Sequence, residues 1–200
     1  MTSASAKRRG RPRAYDPDAA LRRAREVFWR AGYSGTSLED LAAGMGMNRP
    51  SIYAAFGDKR ALYLRAVADY AEASRSFLVA ALDAPGPLRE VLRAALQGAR
   101  DFYLDDGGRG CFLIGTAVTE AGGDPEIRAI AESTFAAFTQ TFTARFERAA
   151  REGELAHAPE ALAQIAVAAL NNLAVRARTG ADRPTLDALI DATVNVVAPL

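Results

Sequence analysis

The side chains best suited to holding a polyanion are concentrated in the first third of this chain. Residues 1–65 contain 13 Lys and Arg against 6 Asp and Glu, whereas the remaining residues contain 12 against 18. The net charge of +1 therefore hides a basic N-terminal part and an acidic remainder. Guanidinium, ammonium, amide and hydroxyl groups donate hydrogen bonds to phosphate oxygens and base edges. The charge pattern indicates that the N-terminal part would bind any nucleic-acid partner.

Catalysis and metal binding have few candidate residues. Cys111 and His157 are the only cysteine and the only histidine, and they lie in different segments, so neither has the partners that a catalytic or zinc site needs. We expect no enzyme, no metal and no cofactor. No apolar run approaches the roughly 20 residues that cross a bilayer, and no signal peptide is evident. These features predict a cytoplasmic protein without a membrane partner.

Cys111 carries the one reactive group outside the basic part. It follows G-R-G where a helix is predicted to begin. A helix N-terminus and the neighbouring Arg109 would stabilise a thiolate, which makes Cys111 a candidate sensor of electrophiles or oxidants. A small buried apolar residue is the alternative interpretation.

Helices are the elements that must position these groups. Helical periodicity runs along the chain, and no alternating run is long enough for a sheet, so the sequence predicts an all-α fold of about nine helices. Asp16 caps the first helix and Gly32 ends it. Thr36 with Glu39 predicts a capping box for the second, and Asn48 caps the third.

The later helices follow from the same signals of caps, breakers and apolar stripes. The stripe after Asp58 comprises Leu62, Ala66, Tyr70, Ala73 and Phe77, and the stripe after Asp124 comprises Ile127, Ala131, Phe135, Phe138, Phe142 and Phe146. Helices are predicted from Asp58, at 86–104, from Cys111, from Asp124, at 159–178 and at 184–198, with a loop at 105–110.

Three units follow from this arrangement. We expect residues 1–14 to form a flexible basic arm, residues 15–60 a three-helix helix-turn-helix head, and residues 61–200 a larger C-terminal helical domain. Within the arm, Arg11 lies in a slim basic segment of the kind that enters an A·T-rich minor groove. A solvated tail that only adds counterion release is the alternative.

The run from Gly32 to Tyr63 resembles the DNA-binding segment of the TetR family of bacterial regulators. Members carry G-[YF]-x-x-[TS]-[TS], then a small residue and Gly in the turn, then [LI]-Y-x-x-F-x-[SD]-K-x-x-L. Here these positions are Gly32, Tyr33, Thr36, Ser37, Gly46, Ile52, Tyr53, Phe56, Asp58, Lys59 and Leu62. The matched run covers part of the chain, and the helix count and length also suit the family. Ala54 and Ala55 depart from the polar or aromatic residues that many relatives have there.

The resemblance implies which residues contact DNA. It assigns Asn48, Arg49, Pro50 and Ser51 to base edges, and Thr36, Ser37, Tyr53 and Lys59 to phosphates. The chemistry agrees with this assignment, because a guanidinium donates two hydrogen bonds to a guanine edge, while a phenol or an ammonium suits phosphate oxygens.

The resemblance also implies that residues 61–200 are a helical ligand-binding and dimerisation domain. Its pocket for a small hydrophobic or electrophilic effector would be enclosed by the helices between about residues 86 and 178. Core packing is the alternative role for its phenylalanines. At least one of the two amides should face a polar partner, which a ligand, a second subunit or a backbone carbonyl would supply. The expected lining residues are Phe102, Cys111, Phe112, Phe135, Phe138, Phe142, Asn171 and Asn172.

The last two helices carry more apolar surface than a terminal pair is expected to cover alone. Packing against a second copy would cover it in a four-helix interface with twofold symmetry, and the operator should then be an imperfect palindrome. The expected interface residues are Leu162, Ile165, Leu170, Leu186, Ile190 and Val194.

Together these features predict a homodimeric, sequence-specific transcriptional regulator of double-stranded operator DNA, by family default a repressor. A small-molecule effector, or modification of Cys111, would release it. A dimeric DNA-binding protein without an effector is the alternative, and an apolar pocket with a few convergent polar groups would argue against it.

Overall fold

Nine α-helices build the described part of the chain, which in this computed structural model comprises residues 15–155 and 157–199, with the side chain of Asp106 excepted. No strand occurs among these residues, which confirms the predicted all-α fold. The helices are α1 (Pro17–Ala31), α2 (Leu38–Met45), α3 (Arg49–Phe56), α4 (Lys59–Leu82), α5 (Leu88–Gly108), α6 (Phe112–Thr119), α7 (Pro125–Arg151), α8 (Pro159–Arg178) and α9 (Arg183–Val197).

Helices α1 to α3 form the head, and their ends follow local chemistry. Asp16 accepts a hydrogen bond from the backbone of Asp18, and Asn48 accepts one from that of Ser51, so both act as the predicted caps. Gly46 closes α2 in the left-handed conformation, with φ of 65°, which favours glycine. Phe28, Leu41 and other fully buried apolar residues fill the space between the three helices and α4.

The start of α2 differs from the prediction by one residue. Ser37, not Thr36, is the N-cap, and it forms a reciprocal capping box with Asp40 rather than with Glu39. The hydroxyl of Thr36 instead donates to the carbonyl of Gly32 at 2.6 Å. Because that bond occupies Thr36 and buries it, the next hydroxyl along the chain becomes the cap.

Helices α4 to α9 form the body. Helix α4 packs on α1 and also on α7 and α5, so it belongs to both parts, while α8 packs against α7, α5 and α9. The predicted stripe on α4 is buried at Leu62, Ala66 and Tyr70. It is exposed at Ala73 and Phe77, where Ala71 and Leu78 are buried instead.

The predicted loop at 105–110 is largely helical, because α5 continues to Gly108. A Cβ on Gly108 would lie 2.8 Å from the carbonyl oxygen of Ala177, and one on Gly110 would lie 2.5 Å from that of Ala174. The glycines therefore permit close approach to α8, a packing requirement that resembles a loop signal in the sequence.

Five of the six residues expected at a dimer interface are buried within the chain itself. They pack in the core between α8, α9 and their neighbours, so the expectation that these residues need a second copy to cover them is wrong. Ile165 alone is exposed, at 43%. The five buried residues are Leu162, Leu170, Leu186, Ile190 and Val194.

Across the described residues, no helix is both long and apolar enough to span a bilayer.

The contact between α1 and α2 gives a test of the head's packing. A Cβ at Gly44 would lie 2.3 Å from Cγ2 of Val27, a stiff β-branched side chain. Gly44→Ala gains up to about 1 kcal/mol of helix propensity, but overpacking costs about 1–3 kcal/mol, so we expect a net loss of stability. Urea denaturation measures the free energy of unfolding of each variant. The double variant with Val27→Ala should recover part of the loss, and equal stability of wild type and Gly44→Ala would contradict this packing.

Candidate nucleic-acid interface and cavity

The first turns of α3 form an exposed surface. Ile52 and Phe56 anchor the helix in the core, with at most 5% exposure, which turns the opposite face outward. Tyr53 on that face is 49% exposed, an unusual position for an aromatic residue unless it has a partner. Asn48, Arg49 and Pro50 are also exposed, and Ser51 is partly buried.

Two of the expected base-reading side chains already have contacts within the head. Oδ1 of Asn48 accepts from the backbone nitrogen of Ser51 at 2.9 Å, so its amino group remains as the donor for a base. Arg49 forms an ion pair with Glu39 of α2. Both partners are largely exposed, and such pairs are weak enough to exchange for a guanine or a phosphate.

The side chains expected to bind phosphates differ in whether they are exposed and free of strong contacts within the head. Nζ of Lys59 lies 4.4 Å from the ring centre of Tyr33, which holds the ammonium near the start of α4. Ser37 is exposed at the start of α2, where its hydroxyl donates to the carboxylate of Asp40 at 2.6 Å and would have to leave that acid to bind a phosphate. The expectation for Thr36 is not supported, because its side chain is 2% exposed and its hydroxyl is bonded to Gly32. Arg11 lies outside the described residues.

Helix α1 links this head to the body through an aromatic cluster. The ring of Trp29 lies 5.0 Å from that of Tyr70, 5.9 Å from that of Phe102 and 5.6 Å from that of Phe112. Its indole N–H donates to the carbonyl of Arg109 at 3.2 Å. The guanidinium of Arg109 stacks over the indole and pairs with Glu26 of α1. The cluster therefore joins α1 to α4, α5 and the start of α6.

A cavity of about 200 Å³ adjoins this cluster. Its wall is mainly apolar and includes Phe102 and Phe138, two of the expected ligand-binding residues. Arg25, Ser74 and Tyr103 add polar groups from α1, α4 and α5. An apolar cavity with a few polar groups is the usual form of a small-molecule site.

The other expected ligand-binding residues lie elsewhere. Phe142 is fully buried and packs on Phe146 in the core. Phe112 belongs to the Trp29 cluster. Phe135 packs against the core without lining the cavity. These three residues follow the core-packing alternative.

The two amides of α8 are also away from the cavity lining. Asn172 is exposed, and its Oδ1 accepts from Nε of Arg176 at 2.8 Å on the same helix. Asn171 is partly buried. The polar partner predicted for at least one of the two amides is thus found for Asn172, and it is Arg176 one turn later on the same helix rather than a ligand.

Sequence reasoning missed Arg25, Tyr70, Ser74 and Tyr103 as cavity residues. Burial raises the pKa values of Tyr70 and Tyr103 well above the ordinary value, so both phenols stay protonated donors. The residues come from three helices far apart in the sequence. One signal could have indicated Arg25: a charged residue next to Ala24 and Phe28 on the buried side of α1.

Cys111 is buried, and the thiol accepts from the hydroxyl of Tyr70 at 3.4 Å. Burial raises the pKa of the thiol, although Tyr70 and the backbone of Ile114 and Leu113 at the start of α6 favour the thiolate. The predicted helix effect exists, but desolvation outweighs it. Arg109 is paired with Glu26, so the prediction of a stabilised thiolate is not supported.

Comparison with known proteins gives a consistent result. The family model described as bacterial regulatory proteins, tetR family, matches residues 20–66. An uncharacterised HTH-type transcriptional regulator of Bacillus subtilis, YezE, is 35% identical over 147 residues, which cover 73% of this chain and 76% of the relative. The HTH-type transcriptional repressor BdcR of Escherichia coli is 32% identical over 123 residues, 61% of each chain.

Solved structures extend the similarity to nearly the whole chain. A cysteine mutant of the TetR family transcriptional regulator CifR, in complex with a 26-bp double-strand operator DNA, superposes with a TM-score of 0.85 at 31% identity. The match covers 94% of this chain and 100% of that one. The similarity therefore includes both head and body.

The buried setting of Cys111 predicts slow thiol chemistry. The folded protein should react with a thiol reagent such as DTNB at least about tenfold more slowly than glutathione at pH 8, because little thiolate forms and access is limited. Unfolding in urea should abolish the difference. The absorbance of released thionitrobenzoate measures both rates. Reaction as fast as glutathione in the folded state would contradict the burial of this thiol.

Proposed function

This chain belongs to the tetR family of bacterial regulatory proteins and is a DNA-binding transcriptional regulator; we propose that it acts as a homodimeric repressor that a small-molecule effector releases from its operator. The observation that carries the proposal is the exposed first turn of α3 on a head whose supporting helix, α1, also borders a cavity. Helix α1 packs on α2 and α4, the two helices that support α3, and its Arg25 lines the cavity.

The exposed groups of α3 suit a major groove. The guanidinium of Arg49 offers a fork for a guanine edge once it leaves Glu39, and Pro50 offers apolar contact to a thymine methyl. Tyr53 and Lys59 flank these residues with groups that suit phosphates, and Ser37 at the start of α2 adds a hydroxyl once it leaves Asp40. Arg60 follows Lys59 on α4, but Asp124 and Glu126 together hold it with hydrogen bonds of 2.9 to 3.0 Å, so Lys59 is the better phosphate ligand of the two.

Dimerisation is proposed through the exposed faces of α8 and α9. Ile165, Val175 and Val196 are 43%, 48% and 57% exposed, which is high for β-branched apolar residues in the middle or last turns of helices. Exposed alanines continue both faces and would allow close helix packing. Two copies joined in this way would present two α3 helices with twofold symmetry, so a palindromic operator is expected. These alanines are Ala161 and Ala168 on α8, and Ala188 and Ala192 on α9.

Release by an effector is supported by the cavity beside the Trp29 cluster. A ligand weakens DNA binding if it binds more tightly to a conformer whose two heads are wrongly spaced for the operator. The loss of DNA-binding free energy equals the difference in ligand binding free energy between the two conformers, typically about 1–3 kcal/mol. An effector-independent regulator is less well supported, since a filled core would serve it better than an apolar cavity with polar groups at its wall.

Modification of Cys111 is a second route to release. The residue also lines a cavity of about 260 Å³ with Val175 and Arg178, between α6 and α8. An electrophile would have to act on a thiol that is mostly protonated, so this route favours reagents that bind in the cavity before they react.

DNA binding is tested by selecting bound duplexes from a random pool and titrating them in gel-shift assays. Arg49→Ala should lose discrimination at one base pair of each half-site, by about 1–3 kcal/mol, and relax specificity there. Lys59→Ala should weaken all sequences alike and reduce the salt slope by about one per head. Arg151→Gln, an exposed change at the end of α7, is the matched control. A protein that ignores duplex DNA at low salt would refute the function.

The interface is tested by placing a charge on α8. Ala168→Arg should convert the dimer to a monomer and weaken operator binding by at least about tenfold, because two linked heads bind far better than one. Ala80→Arg, at an exposed position on α4, is the control and should stay dimeric. Light scattering after gel filtration measures the mass. A dimeric Ala168→Arg variant would exclude this face.

A further inference from the structure

The cavity beside α1 has hydrogen-bond donors and no acid. Arg25, Ser74, Tyr70 and Tyr103 line it, and no carboxylate is among its described lining residues. Burial keeps the two phenols protonated; the hydroxyl of Tyr70 donates to the thiol of Cys111, and that of Tyr103 remains available to donate. A ligand that carries an acceptor or a negative charge therefore suits the cavity, and an amine does not.

Arg25 is only partly satisfied by the protein. Its Nη1 donates to Oδ2 of Asp69 at 3.0 Å, while its Nε is buried and has no hydrogen-bond partner among the described residues. The guanidinium carbon lies 5.8 Å from the ring centre of Tyr70, against the cavity wall. Asp69 is 44% exposed and Arg25 only 17%, so the acid faces solvent and the base faces inward.

Tyr103 supplies a second unused donor. Its side chain is buried, and its hydroxyl makes no hydrogen bond to the described residues, whereas the hydroxyl of Tyr70 is already bonded to Cys111. Arg25 and Tyr103 reach the cavity from α1 and α5. The buried Nε of Arg25 without a partner is unfavourable, and a ligand oxygen would satisfy it while also accepting from Tyr103.

We propose, building on the effector-released function above, that the cavity binds a small apolar monocarboxylate whose carboxylate takes Arg25 from Asp69 and accepts from Tyr103. The volume of about 200 Å³ suits one aromatic ring or a short branched chain, since cavities of about 150 Å³ hold benzene. A guanidinium binds a carboxylate through parallel hydrogen bonds, which fits the charge and planarity of this ligand.

The same residue would carry the signal to the head. Arg25 lies one turn before Trp29 on α1, and its pair with Asp69 ties α1 to α4. A carboxylate that captures Arg25 removes that tie while it fills the space beside Tyr70 and Phe102. Ligand binding thus changes how α1 rests on α4, which is where the head meets the body.

The sole tryptophan provides the measurement. Trp29 lies 5.0 Å from Tyr70, so occupation of the cavity should change its fluorescence. The full-length protein without DNA is titrated with phenylacetate and with phenethylamine, which share a ring and differ in the sign of the charge. We expect saturable binding of phenylacetate and at least about tenfold weaker binding of the amine. No phenylacetate binding up to about 10 mM, or equal binding of the two, would overturn the proposal.

Variants identify the residues. Arg25→Gln should weaken phenylacetate binding by at least about tenfold, and Tyr103→Phe by about three- to tenfold, with the ring retained. Asp69→Asn should strengthen it by about two- to fivefold, because the competing acid is gone. Arg151→Gln, far from the lining, should bind as wild type. Unchanged affinity in Tyr103→Phe, or weaker binding in Asp69→Asn, overturns the proposal even if Arg25→Gln does not fold.

Failure of this proposal is separable from failure of the proposed function. A protein that binds its selected operator but not phenylacetate remains a regulator and lacks this ligand site. A protein that binds phenylacetate by these criteria without any loss of operator affinity keeps the site, and the effector role is then refuted.

Discussion

The packing of Trp29 between head and body is the contact on which the rest of the structure depends. The indole is 4% exposed and touches rings from α4, α5 and α6, although it belongs to a helix of the DNA-binding head. Close-packed aromatic rings do not deform gradually, because small displacements lose contact on several sides at once. The position of α1 is therefore coupled to the packing of the body around the indole.

Around this rigid centre lie polar contacts that exchange easily. Arg25 of α1 pairs with Asp69 of α4, and Ser34 before α2 lies 3.5 Å from Glu120, so both join the head to the body at partly exposed positions. Arg60 at the start of α4 pairs with Asp124 before α7. Exposed pairs contribute little stability, about 0–1 kcal/mol each. Replacing one of these pairs by another partner costs little free energy, so such pairs are suited to adjusting the orientation of the head. The aromatic cluster keeps the head attached to the body, and the exposed polar contacts can rearrange without breaking that attachment.

The head was predictable because its information is local. A cap, a turn glycine and an anchor residue lie within a few positions of each other, so Asn48 and Gly46 identify their roles without knowledge of distant helices. The exception shows the limit of this reasoning. Thr36 and Ser37 each have an acid three residues later, and both fit a capping box. Only the three-dimensional structure shows that the hydroxyl of Thr36 is taken by Gly32 and that Ser37 is the cap.

The helices of the body were predictable from the sequence, but the surfaces against which their apolar faces pack were not. Periodicity predicts that Leu186 and Phe142 pack against an apolar surface. It does not predict whether that surface belongs to the same chain, to a second copy or to a ligand. Both residues turn out to be core. A cavity wall has the opposite signature, since it combines apolar residues with donors that the core leaves unsatisfied, and Arg25 and Tyr103 come from helices 78 positions apart in the sequence. The residues suited to contact a DNA groove thus lie in one contiguous segment, whereas the residues that line the cavity are distributed over the chain and are brought together only by the fold.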